Sequence, residues 1–186
     1  MAGNRKSTGL NVFTVQEATN LISQRKIIRL NPSIPQASHS ANDVIFNNLE
    51  IPNAVPFNGG ISKLEWITCY CIDDSANLDI TLVFHQKSGE NLGTVGSGGS
   101  ISGADFHALK PLGVNNFDSS DNQDDLGAVV IGTTGLGASS AAAGNNQIYL
   151  QAESDSRSVY MGSLLISTHN FDQQADSVHI VLGIKY

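Results

Sequence analysis

Residues 78–106 read LDITLVFHQKSGENLGTVGSGGSISGADF, and the reading of this stretch decides the fold. Leu78, Ile80, Leu82 and Phe84 fall on one side of an extended chain, with Asp79, Thr81 and His85 on the other, the period of a half-buried strand. Behind it four glycines crowd between Gly93 and Gly99. A strand, a glycine-rich loop and a helix start are also the parts of a phosphate-binding loop, so the choice lies between a parallel nucleotide enzyme and an antiparallel β-protein. The first lysine after Gly93 is Lys110, outside any Walker-type spacing, and no GK[ST] occurs anywhere in the chain. Ser102 and Asp105 instead form S-x-x-D ahead of Phe106, Ala108 and Leu109, which opens one or two helical turns that Pro111 and Gly113 close. The stretch is a corner leading into a short helix.

Working outward, the strand period recurs. Val178, Ile180, Leu182 and Ile184 alternate with His179, Gly183 and Lys185. Residues 64–72, 128–133, 147–152 and 159–167 are further short runs bounded by Gly, Asn, Asp or Ser. Such runs, separated by turn chemistry and with hardly any helix, predict an all-β antiparallel sandwich, jelly-roll-like, with one short helix. The composition agrees: 186 residues, 15% charged and 18 glycines suit a turn-rich β-domain. No apolar run is long enough for a membrane helix, and the N-terminus has no apolar stretch behind its basic residues, so neither membrane nor export is expected.

Charge divides the chain. Residues 1–42 hold five basic residues against Glu17 alone, net +4; residues 43–186 hold five basic against sixteen acidic, net −11. This predicts a basic arm and linker over 1–42 and a sandwich domain over 43–186. Within the arm, Thr14 and Glu17 have the spacing of a capping box, and Val15, Ala18 and Ile22 recur at helical spacing up to Arg25 and Lys26. The proline-bearing NPSIPQASHSAN (residues 31–42) reads as the linker. GLGASSAAAGNN (residues 135–146) reads as a long exposed loop.

Candidate chemistry is sparse. Cys69 and Cys71 lie on one face of a strand, poorly placed to bridge each other, and read as buried small hydrophobes. The acidic run FDSSDNQDDLG (residues 117–127) lacks calcium-loop spacing and reads as a solvated loop. The five histidines stand apart in sequence, with no nucleophile motif beside them. Trp66, inside an alternating run, is expected in the core. No catalytic residue, metal or cofactor is expected, and Arg25, Lys26 and Arg29 are too few to hold nucleic acid.

In order along the chain stand Leu92-Gly93-Thr94, Ser100-Ile101-Ser102 with Ala104-Asp105, Leu112-Gly113, Asp125-Leu126-Gly127, and Thr168 with Phe171. This succession, over residues 62–186, resembles small virion proteins of tailed bacteriophages, including cyanophages; the Gly/Ala loop departs from their pattern as an insertion. The resemblance implies a homotrimer, made in the host cytoplasm, that decorates or cements the capsid exterior and has the major capsid protein as partner. In that setting Val15, Ala18 and Ile22 would pack on the partner and Arg25, Lys26 and Arg29 would meet its acidic groups. The alternative expectation is a receptor- or glycan-binding module of a tail or head fibre.

Overall fold

The computed structural model describes residues 24–72, 78–99, 101–119, 123–126, 129–136, 147–171 and 177–186. Among them lie twelve strands and one short helix. The strands are β1 (Arg25–Leu30), β2 (Ser38–His39), β3 (Val44–Ile51), β4 (Ile61–Cys71), β5 (Ile80–His85), β6 (Pro111–Phe117), β7 (Gln123–Asp125), β8 (Val130–Gly135), β9 (Ile148–Gln151), β10 (Val159–Leu165), β11 (His169–Asn170) and β12 (Val178–Lys185). The helix α1 is Gly103–Ala108.

The larger sheet runs β1-β12-β4-β8-β7, with β9 also on β4; the smaller runs β3-β10-β5-β6, and β2 pairs β11. All these pairings are antiparallel. β8 and β9 lie along successive parts of β4, opposite Trp66–Cys71 and Ile61–Leu64, so they are two halves of one interrupted strand. Counted so, the first long strand pairs the last (β1 with β12), the second the second-last (β3 with β10), and the third the third-last (β4 with β8 and β9). The two central strands, β5 and β6, pair each other. This is one long antiparallel hairpin rolled up on itself, the connectivity of a jelly roll. The expected sandwich is the fold.

Alternation places the core between the sheets. Ile67, Cys69 and Cys71 of β4 and Val178, Ile180, Leu182 and Ile184 of β12 face Ile80, Leu82, Phe84, Phe117 and Met161 from the smaller sheet. Both cysteines are buried and unbridged, as their spacing implied. At Gly113 the two sheets come so near that a Cβ would stand 2.8 Å from Ile148. One position breaks the expected period. Leu64 pairs with Ile184 and Trp66 with Gly183, so Glu65 is the extra residue of a β-bulge. The bulge keeps Leu64 and Ile67 in the core and turns Trp66 outward. Trp66 is therefore not a core residue; it is half-buried on the outer face of the larger sheet.

The arm also needs correction. Arg25 and Lys26 do not end a helix: RKIIRL is β1, paired residue by residue with β12 from Arg25–Lys185 to Leu30–Ile180. The β-branched Ile27 and Ile28 suit a strand, and Ile28 is buried in the core. Beyond it Ile34 is buried too, so residues 31–42 are a connection of the sandwich and not a linker. The sandwich begins no later than β1, well ahead of the expected boundary at residue 42. Val15, Ala18 and Ile22 lie outside the described residues, as does most of the Gly/Ala loop.

Candidate interaction surfaces

The outer face of the smaller sheet is covered by its own chain over β3, β10 and β5, while β6 at its edge shows Val114 to solvent. Ser102 caps α1, its hydroxyl accepting from the Asp105 amide, as the S-x-x-D spacing predicts. After α1, Lys110 takes a left-handed conformation (φ 51°) where glycine is usual, and Pro111 opens β6. Leu92 and Leu109, on either side of the glycine-rich corner, are buried against Val44 and Val83, with Ile101 and Leu164 packed alongside. The corner also runs along the free edge of β3: Gly96 donates to the Val44 carbonyl (2.8 Å), Val44 to Ser97 (3.0 Å) and Gly99 to Asn42 (2.6 Å). Asn47 holds the entry, accepting from the Leu92 amide and donating to the Gly93 carbonyl. The glycines permit close approach. A Cβ at Gly99 would collide with Leu164, and one at Gly162, beneath the cover, would stand 2.7 Å from Leu92.

Among the described residues nothing covers the outer face of the larger sheet. The strand register lays its side chains out in rows. Arg25, Lys185, Lys63 and Tyr149 form one row, from β1 across β12 and β4 to β9. Ile27, Gly183, Trp66 and Gly135 form the next, and then Arg29, Val181, Thr68 and Thr133. A Cβ at Gly183 would collide with the indole of Trp66, so the ring lies across that glycine beside Ile27. Ile27, Ile61 and Tyr149 are 54, 53 and 58% exposed. Further along, Tyr70 stacks on His179 with ring centroids 4.7 Å apart. The result is a flat, partly apolar platform bordered by cations.

Charge separates the two ends of the roll. Of the eight described lysines and arginines, all but Arg29 sit at the end where β1, β4 and β6 begin. There Lys26 donates to the carbonyls of Pro52 and Asn53, and its pKa is lowered by burial and by nearby Arg157. Lys87 and Lys110 both reach Glu153, at 2.7 and 3.5 Å; the hydrogen bond raises the pKa of Lys87 and lowers that of Glu153. Four connections join strands at the opposite end: residues 31–43, 72–79, 118–129 and 166–177. Their sequence holds ten aspartates and no lysine or arginine. Asp43, Asp79, Asp118, Asp124 and Asp125 are the described ones, with Asp124 and Asp125 exposed on β7. Asp79 is committed to structure, accepting from the Ser119 amide and the Ser167 hydroxyl.

Sequence reading missed one grouping. His39 and His169 are directly opposite each other in the β2–β11 pair, both buried and both against Phe171, at 5.9 and 4.2 Å between ring centroids. No local motif could show this, because the partners come from different ends of the chain. His85 is buried under the corner, its Nδ1 2.9 Å from the Lys87 carbonyl, and burial lowers its pKa. Burial, and then the neighbouring Cys71, push the Cys69 thiol far up, so it is inert as a nucleophile at neutral pH. Among the described residues no three His, Cys, Asp or Glu side chains come together as a metal site.

Of the residues expected to bind a partner, the structure shows three. Arg25 is exposed and ion-paired with Glu65 at 2.9 Å, Lys26 is turned onto backbone carbonyls, and Arg29 is exposed. All three belong to β1 at the edge of the larger sheet and not to a separate arm, with Arg25 and Arg29 on its outer face and Lys26 on the other.

No family model and no curated protein matches the chain. A chain from the native virion of Kashmir bee virus at acidic pH is similar in shape over 99% of this chain and 82% of its own, at 10% identity and a TM-score of 0.26. That likeness is too low to carry an argument.

Proposed function

We propose that the protein is a structural component of a tailed-phage virion, a decoration or cement protein that assembles as a trimer on the outside of the head. The observation that carries this reading is the outer face of the larger sheet, uncovered among the described residues, with an apolar platform around Trp66 beside a row of cations. A sandwich that spends a long loop on one outer face and, among the described residues, leaves the other open fits a protein that has that face covered in an assembly. The order of short motifs shared with small phage virion proteins supports the same reading. The role is mechanical: several weak contacts per copy, multiplied by the copies in an oligomer, hold lattice subunits together without catalysis.

The test is whether the protein copurifies with intact particles, and in what ratio to the major capsid protein. A ratio comparable to the capsid protein supports a lattice decorator. Absence from particles would sink the proposal. The outward Trp66 and Tyr70 favour a second reading, a glycan-binding module of a fibre, which predicts a copy number matching the fibres and retention on a glycan surface.

A further inference from the structure

One cation stands apart from the rest, at the end of the larger sheet that carries the aspartates. Arg29 is exposed on the outer face of β1, and among the described residues no carboxylate meets its guanidinium. Nearby, Tyr70 stacks on His179 with 4.7 Å between ring centroids and 14° between the planes. The two residues are directly opposite each other in β4 and β12, and 4.7 Å is the spacing of neighbouring strands. The rings therefore stand across the strand-to-strand direction, and the second face of His179 turns toward β1. The register of β1 on β12 ends at Leu30–Ile180, so Arg29 and Asn31 border the space beside that face. A cavity of about 130 Å³ lies there, lined by Arg29, Asn31, Tyr70, His179 and Val181 among others.

We infer that this cavity binds one ring of a neutral sugar, its C–H face on His179 and two adjacent hydroxyls on Arg29. A ring laid on His179 continues the pile that Tyr70 begins. An enclosed apolar cavity of about 150 Å³ admits benzene, so a comparable space open to solvent has room for one six-membered ring. The guanidinium offers N–H donors in a planar fork and accepts nothing, which suits a pair of hydroxyl oxygens as well as a carboxylate. The surroundings decide between those two. The connections at this end hold ten aspartates and no lysine or arginine, and Asp124 ends the row that runs from His179 through Tyr70 and Ile131. That field opposes an anion and is indifferent to a neutral ring. Trp66 lies four residues back along β4, about 13 Å away, and is no part of the site. The inference rests on the glycan-binding reading and adds the site and the class of sugar.

The experiment is saturation-transfer NMR on the full chain with the methyl pyranosides of glucose, galactose, mannose and N-acetylglucosamine, and with glucuronate as the anionic comparison. At least one neutral sugar should receive saturation at its ring protons, and glucuronate should not. Arg29→Gln and His179→Ala should each weaken that binding roughly tenfold, the scale of losing a hydrogen bond to a charged group. Arg29→Lys should not restore it, because an ammonium lacks the fork. Trp66→Phe and Arg25→Gln, elsewhere on the same face, should leave it unchanged. Arg29 is exposed, so its replacement spares the fold, and an unfolding midpoint equal to wild type checks this. Binding by none of the four neutral sugars overturns the inference, as does a preference for glucuronate. A sugar whose binding survives Arg29→Gln, or is lost in Trp66→Phe, leaves the glycan-binding reading standing and places the site elsewhere, which overturns this one.

Discussion

The smaller sheet wears residues 86–110 over its outer face, sealed by Leu92 and Leu109, while the larger sheet shows Ile27, Ile61 and Tyr149 to solvent. Both faces use a glycine beneath a large side chain. At Gly162 the side chain is Leu92, which belongs to the cover; at Gly183 it is Trp66, which belongs to the sheet itself. In the first case the glycine lets a second layer approach. In the second it lets a ring lie down so that no second layer stands up from the surface. The same small residue thus closes one face and flattens the other. The difference leaves one face packed by its own chain and the other, among the described residues, open to the assembly proposed above.

The largest effects should separate the faces by stability. Leu92→Ala and Leu109→Ala remove fully enclosed side chains and should each cost about 2–5 kcal/mol, since the cover can collapse only partly into the space. Ile27→Ala and Ile61→Ala, on half-exposed side chains, should fall within about 0.5 kcal/mol. Urea unfolding measures all four. Equal losses on both faces would erase the distinction.

The two glycines sharpen it. Gly162→Ala drives a methyl into Leu92, with the Phe46 carbonyl 3.2 Å away on another side, and should cost about 1–3 kcal/mol as overpacking. Gly183→Ala meets the indole of Trp66, which has solvent beyond it and can lift away. Its stability cost should be the smaller of the two. Trp66 is the single tryptophan, so fluorescence reads this directly. A red shift of emission is expected for Gly183→Ala and none for Gly162→Ala. A red shift in both would mean that the faces are coupled through the core.

His85 tests the covered face by pH. Its folded pKa lies below the ordinary value of 6.5, because burial opposes the imidazolium. On acidification through 6.5 the unfolded chain takes up this proton first, so stability falls as pH drops, until the lower folded pKa is passed. His85→Gln should flatten that part of the stability profile, with a smaller effect than either cavity or overpacking. An unchanged profile would show that burial of His85 does not contribute to the acid response.

Much of this contrast was legible in the sequence, and the limits were physical. The strands β4, β5, β8, β9, β10 and β12 announce themselves by period two, and the Ser102–Asp105 spacing announces α1. β3 and β6 do not, because Asn47-Asn48 and Asn115-Asn116 interrupt their apolar runs and Pro111 opens the second. β1 is hidden by its charges: Arg25, Lys26 and Arg29 suggest a helix end and a free arm, although Ile28 is buried in the core and Leu30 packs against it. The bulge at Glu65 cannot be read from period, so the alternation alone puts Trp66 on the wrong face. The cation row is a property of register between β1, β12 and β4, and no local pattern contains it. The two ends, by contrast, could have been found by sorting residues between strands according to which end each connection must occupy.

The smallest expected effect bears most directly on the bare face. Lys185→Glu places a carboxylate between Arg25 and Lys63, turning two like-charge oppositions into two favourable ones. Cross-strand pairs of opposite charge contribute roughly 0.2–1 kcal/mol. These positions are at least partly exposed, which holds the gain toward the lower end and makes it sensitive to salt. The chain should therefore melt slightly higher than wild type at low salt, with the difference fading as salt is added. No comparable exchange exists under the corner, where removing a side chain can only weaken the fold. A variant that gains stability would show that the row is held against the interest of the single chain. If melting is unchanged or lowered, Glu65 and solvent already neutralise the row.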